Sequence, residues 1–314
     1  MSAPQRARVG PGRGRAGDGH VLDLPVTWLE VFAEAPLGGN LHAVVHDADV
    51  LDPATMAAFA TRLRLSETSY VLAAGVTGAD YRHRIFTVAG EIPFAGHPSL
   101  GAAAAVAWRR GTPQADLVQE TGAGRQPLSV AFDPGGRSAT AEMGQNAPEL
   151  LAEPDPAPFL STLGLRAEDR HPSMPAEVIS TGLPTLVLPV RGLGVLGRIG
   201  ADLTALGPAL AAAGAVTCYL VTLPEQASGG RWRARCFTDR VAGGEDAATG
   251  SAAGPLAAYA HRHLGLRSVE VDQGLELGSP SRLRARVEGD RVVVGGNVRL
   301  VGEGVVSLPA RGAA

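Results

Sequence analysis

Gly243-Gly244-Glu245-Asp246-Ala247-Ala248-Thr249-Gly250-Ser251-Ala252-Ala253-Gly254 decides how the chain is read. A strand-like run, Arg231 to Thr238, precedes it, and a small-residue helix pattern, Ala252 to His263, follows. A glycine-rich turn that opens a helix leaves several backbone N–H groups unpaired, and with the helix dipole they make an anion site. Thr249 and Ser251 suit the cap of that helix or a ligand. Asp246 stands at the same mouth.

The plan occurs twice. Arg84-Ile85-Phe86-Thr87 is followed by Ala95-Gly96-His97-Pro98-Ser99-Leu100-Gly101 and an Ala-rich helix pattern to Arg110. The spacing is about half a chain, so this reads as a domain-scale duplication rather than a solenoid of ~20–50-residue repeats. Two such halves facing each other aim two helix N-termini into one cleft, an arrangement suited to a small carboxylate.

Composition narrows the classes. A chain of 314 residues suits two domains at the usual ~100–200 residues each. Aromatics are 4% of the chain, so packing must rest on Ala, Val and Leu. The net charge of −3 argues against a nucleic-acid footprint. All 28 basic residues are Arg. Without lysine there is no Schiff base, no pyridoxal-phosphate anchor and no P-loop lysine. Cys218 and Cys236 form neither a disulfide framework nor a zinc site, and are expected as buried thiols of a cytoplasmic protein. His261 and His263 are two apart, not the i, i+4 pair that shares a helix face, so no metal site is expected, and both are read as exposed. No run of ~18 apolar residues indicates a membrane span. Residues 1–22 read as a disordered extension.

In order, strands are expected at Val26–Phe32, Leu41–His46, Tyr70–Ala73 and Tyr81–Val88, with a helix from Pro53 to Arg64 capped by Asp52. A meander follows at 117–120, 127–132 and 138–143. The acidic, Pro-rich stretch 148–158 reads as the linker, the one legible connection between a first domain (23–150) and a second (151–314). The second half repeats strands at Ala176–Ser180, Thr185–Val190, Val216–Thr222 and Arg231–Thr238. It ends in five more: Val269–Gln273, Arg282–Glu288, Arg291–Gly295, Val298–Val301 and Val305–Leu308. The last of these is free to return to the first domain. The class is α+β, each half a curled sheet around an Ala-rich helix.

Phe32 to Asn40, Ser66-Glu67-Thr68, Gly96-His97-Pro98-Ser99 and Glu245 to Ala252 together resemble the PhzF-like phenazine biosynthesis protein family, in that family's order and spacing. The resemblance implies a diaminopimelate-epimerase-like fold: two similar domains, each a mostly antiparallel sheet around a central helix, with the active site in the cleft between them. It implies a cofactor-independent isomerase that moves a proton on a small, cyclic amino-acid-like carboxylate, and a homodimer. Glu67 matches the proton-shuttling glutamate. His97 and Asp246 match the other catalytic residues, and Gly96, Ser99, Thr249, Gly250 and Ser251 the substrate-binding ones. Ala247 stands where the family commonly has proline. Epimerases of this fold carry a cysteine beside each glycine turn; here Ala95 and Ala247 stand there, which argues against two-thiol chemistry.

Each assignment has a plainer rival. Glu67 also suits a turn after a helix, His97 can simply satisfy a turn, and Asp246 and Ser251 suit caps. Glu91 is read as structural. The rival functions are a non-catalytic metabolite-binding protein on the same scaffold and an amino-acid epimerase or dehydratase. A retained Glu67 favours the enzyme, because binding alone needs no proton relay.

Overall fold

The computed structural model describes residues 21–226 and 229–310. The first half holds eight strands: β1 (Val21–Val31), β2 (Asn40–Val45), β3 (Thr68–Leu72), β4 (Tyr81–Thr87), β5 (Gly90–Ile92), β6 (Gln114–Thr121), β7 (Gly124–Phe132) and β8 (Ser138–Gln145). Its helices are α1 (Pro53–Leu63) and α2 (Gly96–Arg110). In the second half come β9 (Glu149–Ala152), β10 (Glu177–Ser180), β11 (Pro184–Pro189), β12 (Thr217–Thr222), β13 (Trp232–Phe237) and β14 (Glu245–Asp246). β15 (Ser268–Gln273), β16 (Ser281–Glu288) and β17 (Arg291–Pro309) complete it, with helices α3 (Ala157–Thr162), α4 (Leu193–Leu196), α5 (Leu203–Ala212) and α6 (Gly250–Leu264). The fold is α+β.

The duplication is written in the strand pairings. In the first half β1–β2, β3–β4, β4–β5, β6–β7 and β7–β8 are antiparallel, while β2–β3 and β4–β6 are parallel. From β10 to β17 the same pairings recur with the same senses. The Arg-x-Phe-Thr repeat sits at matching places. Arg84 Nε donates to Glu91 at 2.7 Å and Arg235 Nε to Glu245 at 2.7 Å, each guanidinium lying over Phe86 or Phe237. Glu91 thus holds Arg84, in keeping with its reading as structural.

Each half wraps a long helix. Gly96 to Ala107 of α2 are all buried, as are Gly250 to Ala257 of α6. A helix enclosed on every side has no use for an amphipathic pattern, and Ala and Gly let strands approach closely. Both helices stop at a left-handed glycine, Gly111 (φ 68°) and Gly265 (φ 69°), where a Cβ would be strained. Asp52 caps α1 by accepting from the Thr55 amide at 2.7 Å.

Three expectations need correction. Residues 149–152 are not a linker but a strand, because their backbone pairs with β10. The three terminal segments from Arg291 are one 19-residue strand, and it does return: β17 pairs with β16 and β8 at one end and with all of β1 at the other. Its glycines looked like breaks, but Gly296 only makes room, since a Cβ there would meet the Phe32 ring at 2.5 Å. The extension assigned to residues 1–22 ends earlier, because Val21 and Leu22 already pair with Pro309 and Leu308; residues 1–20 lie outside the described residues. Among the described residues no helix is long and apolar enough to cross a membrane.

Candidate active site

A cavity of about 140 Å³ lies where the N-termini of α2 and α6 meet. Gly96 and His97 line it from α2, and Gly250 and Ser251 from α6. Glu67, just before β3, and Asp246 of β14 supply its carboxylates. Phe94, Ile92, Val216 and Val241 make apolar wall, and Arg240 stands at the rim. The free amides of the two helix starts converge here, as anion binding requires.

Glu67 and His97 face each other with Oε2 and Nε2 3.2 Å apart. Both side chains are buried, and neither atom has a well-aligned hydrogen bond. A buried group left so is rare unless a ligand completes it. Burial, and secondarily the Asp246 charge, hold the Glu67 carboxyl well above its ordinary value. Burial alone lowers His97 to about 3, so the imidazole is neutral.

Asp246 is the contrasting carboxylate. It accepts from Asn40 Nδ2 at 2.8 Å, Ser66 Oγ at 3.1 Å and Thr249 Oγ1 at 2.7 Å. Burial raises its pKa, while those three bonds and the Ala247 amide oppose the rise. Both carboxyls are thus raised, Glu67 the more strongly and Asp246 against donors that favour its ionised form; carboxyl groups whose environments differ in this way can divide acid and base work. Asn40 also reaches His97, its Nδ2 lying 3.5 Å from Nδ1. With Nδ1 accepting, the imidazole proton belongs on Nε2, toward Glu67.

The substrate-binding assignments divide. Gly96, Gly250 and Ser251 line the cavity. Ser99 does not belong there. Its hydroxyl donates to the Ala95 carbonyl at 2.7 Å and accepts from Gln119 at 2.8 Å, on the core side of α2. Thr249 lines the cavity but spends its hydroxyl on Asp246 and makes no side-chain cap. Cys236 also lines the cavity, yet burial pushes its thiol well up, which leaves no thiolate. His263 is not simply exposed: it packs on Tyr259 and contacts the buried Glu177 at 2.8 Å.

Several supporting residues had no assignment in the sequence. Gln273 donates to the Asp246 carbonyl at 2.8 Å and to Thr249 Oγ1 at 3.0 Å, and accepts from the Thr249 amide. Gln145 of β8 reaches from the first half to donate to the Gly250 carbonyl at 3.1 Å. Phe32, left-handed at φ 65° and fully buried, lays its ring against Gly250; such strain is held where packing over-determines it. Asn40 was legible only as the last residue of a motif.

The chain is similar to known proteins over nearly all of its described length. The family model for phenazine biosynthesis-like proteins matches residues 29–309. A trans-2,3-dihydro-3-hydroxyanthranilate isomerase of Pseudomonas aeruginosa is 36% identical over 286 residues, 88% of this chain and 96% of the relative. An uncharacterized isomerase of Mesorhizobium japonicum is 32% identical, with 88% and 96% covered. Among solved structures, a predicted epimerase from P. aeruginosa superposes with a TM-score of 0.80 at 37% identity, covering 90% of this chain and 99% of that one. A PhzF-family protein of Bacillus anthracis gives 0.78 at 27% identity, with 90% and 99% covered. With the match spanning both helix mouths and every strand but the start of β1, the chain belongs to the phenazine biosynthesis-like, PhzC-PhzF, family.

Proposed function

We propose that this protein is an isomerase that moves a proton on a small, cyclic amino-acid-like carboxylate by general acid/base catalysis without a cofactor. The observation that carries the reading is Glu67: a buried carboxyl with raised proton affinity, facing neutral His97 and a hydrogen-bonded Asp246 in a cavity between two helix mouths. The two halves are read as two domains and the cavity as their cleft. The substrate carboxylate sits on the amides of the helix starts and the Ser251 hydroxyl. Glu67 takes a proton from one carbon, the C–H pair shifts into a new double bond, and the proton returns to the far carbon of the old one. Atoms and electrons balance, so no oxidant or second substrate is needed. His97 steadies the carboxyl through both protonation states.

The curated relatives give the first compound to try. The protein is incubated with trans-2,3-dihydro-3-hydroxyanthranilate in D2O. Isomerised product with deuterium at one ring carbon supports the reading. If the compound binds without conversion or exchange, the scaffold is a binding protein for it, and the isomerase reading fails for this substrate class.

A further inference from the structure

Behind His97 runs a ring of buried polar side chains that the proposed reaction does not use. It begins and ends on α2. Ser99 Oγ donates to the Ala95 carbonyl at 2.7 Å, and Gln119 Nε2 of β6 donates to Ser99 Oγ at 2.8 Å. Gln119 Oε1 lies 2.9 Å from His83 Nδ1 of β4, and His83 Nε2 lies 2.6 Å from Ser69 Oγ of β3. Ser69 Oγ is 2.8 Å from His42 Nε2 of β2. The His42 ring then stands perpendicular to the His97 ring at 5.3 Å between centroids. Four strands thus return one chain of contacts to the helix that carries His97.

The direction of every bond is fixed from one end. The single Ser99 proton goes to Ala95, so Gln119 presents its amide nitrogen to Ser99 and its oxygen to His83. His83 must then carry its proton on Nδ1 and accept at Nε2 from Ser69. The Ser69 oxygen must accept from His42, whose proton therefore sits on Nε2. His42 Nδ1 is then left buried with no well-aligned hydrogen bond, while the Glu67 backbone approaches the ring and opposes part of the fall in its proton affinity.

Such a network is costly in a core and specifies geometry when fully joined. Only the half that carries Glu67 has it. At the matching register of the second half, His42, Ser69 and His83 are replaced by Thr185, Tyr219 and Ala234. There Tyr219 instead donates to Gln273 at 3.0 Å, so the two halves carry different buried polar sets and the histidine relay is particular to the half with Glu67.

We propose that the His42–Ser69–His83–Gln119 relay fixes the His42 ring against His97 and so sets the plane in which His97 meets Glu67, which makes His42, Ser69 and His83 positioning residues for the proton transfer. The proposal rests on the reading of Glu67 and His97 as the reacting pair, and its test needs no substrate.

Full-length protein labelled with ¹⁵N-histidine, with resonances assigned by single histidine substitutions, reports each ring's tautomer through two- and three-bond ¹H–¹⁵N correlations. At pH 7 His83 should carry its proton on Nδ1 and His42 on Nε2, and neither should be an imidazolium. Ser69→Ala should shift the His97 ring resonances, and Ser69→Thr, which keeps the hydroxyl, should return them toward wild type. The opposite tautomers in wild type would overturn the relay, and this reading stands even where Ser69→Ala does not fold. Unchanged His97 resonances in folded Ser69→Ala would reduce the relay to core packing. Failure of the deuterium experiment leaves these spectra as informative as before, so the two ideas fall separately.

Discussion

Gly96 and Gly250 meet backbone to backbone at the floor of the cavity. A methyl group on Gly96 would stand 2.7 Å from the Ser251 nitrogen and 3.0 Å from Gly250 Cα. Because the neighbour is main chain, it cannot rotate away. Gly96→Ala should force the two helix starts apart, at a cost of about 1–3 kcal/mol typical of overpacking. Denaturant melts should show that loss, and calorimetry should show weakened binding of anthranilate as a carboxylate probe. A variant as stable and as tight as wild type would show that the helix mouths do not act as one site.

Replacing Glu67 by Gln keeps its shape and removes its proton exchange. Turnover should fall by about 10²–10⁴-fold, the usual contribution of general acid/base catalysis. Near-normal turnover would remove Glu67 from the reaction.

The same substitution has a stability signature. The folded protein holds the Glu67 proton to a higher pH than the unfolded chain does. Folded protein therefore binds more protons above the ordinary carboxylate range, and stability drains away as pH rises from there toward the raised folded value. Glu67→Gln has no such proton to lose. The variant should match wild type near pH 4 and become the more stable of the two as pH rises, read as the difference of two Tm profiles.

On the acid side the buried histidines act the other way. Burial lowers His46 and His97 to about 3 and His83 to about 4. Their ordinary value is 6.5, so between there and pH 3–4 the unfolded chain binds protons that the folded protein refuses. The contribution of these histidines should be complete above about pH 6.5 and fall steadily below it. His46→Gln, a position remote from the cavity whose ring bonds Thr27 at 2.9 Å, should flatten part of that limb. An unchanged acid slope would mean that His46 is already charged in the native protein.

Asp246 tests the coupling between the carboxylates. Its charge is the second cause of the raised Glu67 affinity. Asp246→Asn should move the Glu67-dependent limb of the pH–rate profile to lower pH while also lowering the rate. A rate loss with no displacement of the limb would confine Asp246 to holding Asn40 and Thr249.

What was legible in the sequence was whatever repeats locally. Arg84-Ile85-Phe86-Thr87 and Arg235-Cys236-Phe237-Thr238 look alike because both hold a glutamate from the next strand, and that likeness exposed the duplication. Glu67, His97 and Asp246 were visible because each belongs to a short motif at a helix or strand end. Asn40, Gln145 and Gln273 were not, because their partners lie 206, 105 and 27 residues away and a lone amide carries no local signal. Ser99 misled for a related reason: one helical turn separates a cavity-facing residue from a core-facing one, and the motif alone does not give the phase. His42 and His83 sit in ordinary strand patterns, and only the closed sheet brings them to Ser69.

The exchange of terminal strands makes each half depend on the other. After β8 the chain leaves its own half to lay β9 against β10, and after pairing with β8 the far part of β17 leaves its half to lie against β1. Each half lends its last strand to the other. A first half cut after β9, at residue 152, would expose the edge of β1 and trail β9 with nothing to join. Two copies of such a half would satisfy each other by the same exchange. The architecture is therefore the one that two identical halves would form by exchanging their last strands. The two halves are not identical at the cavity, to which the first brings Glu67 and the second Asp246 and Ser251.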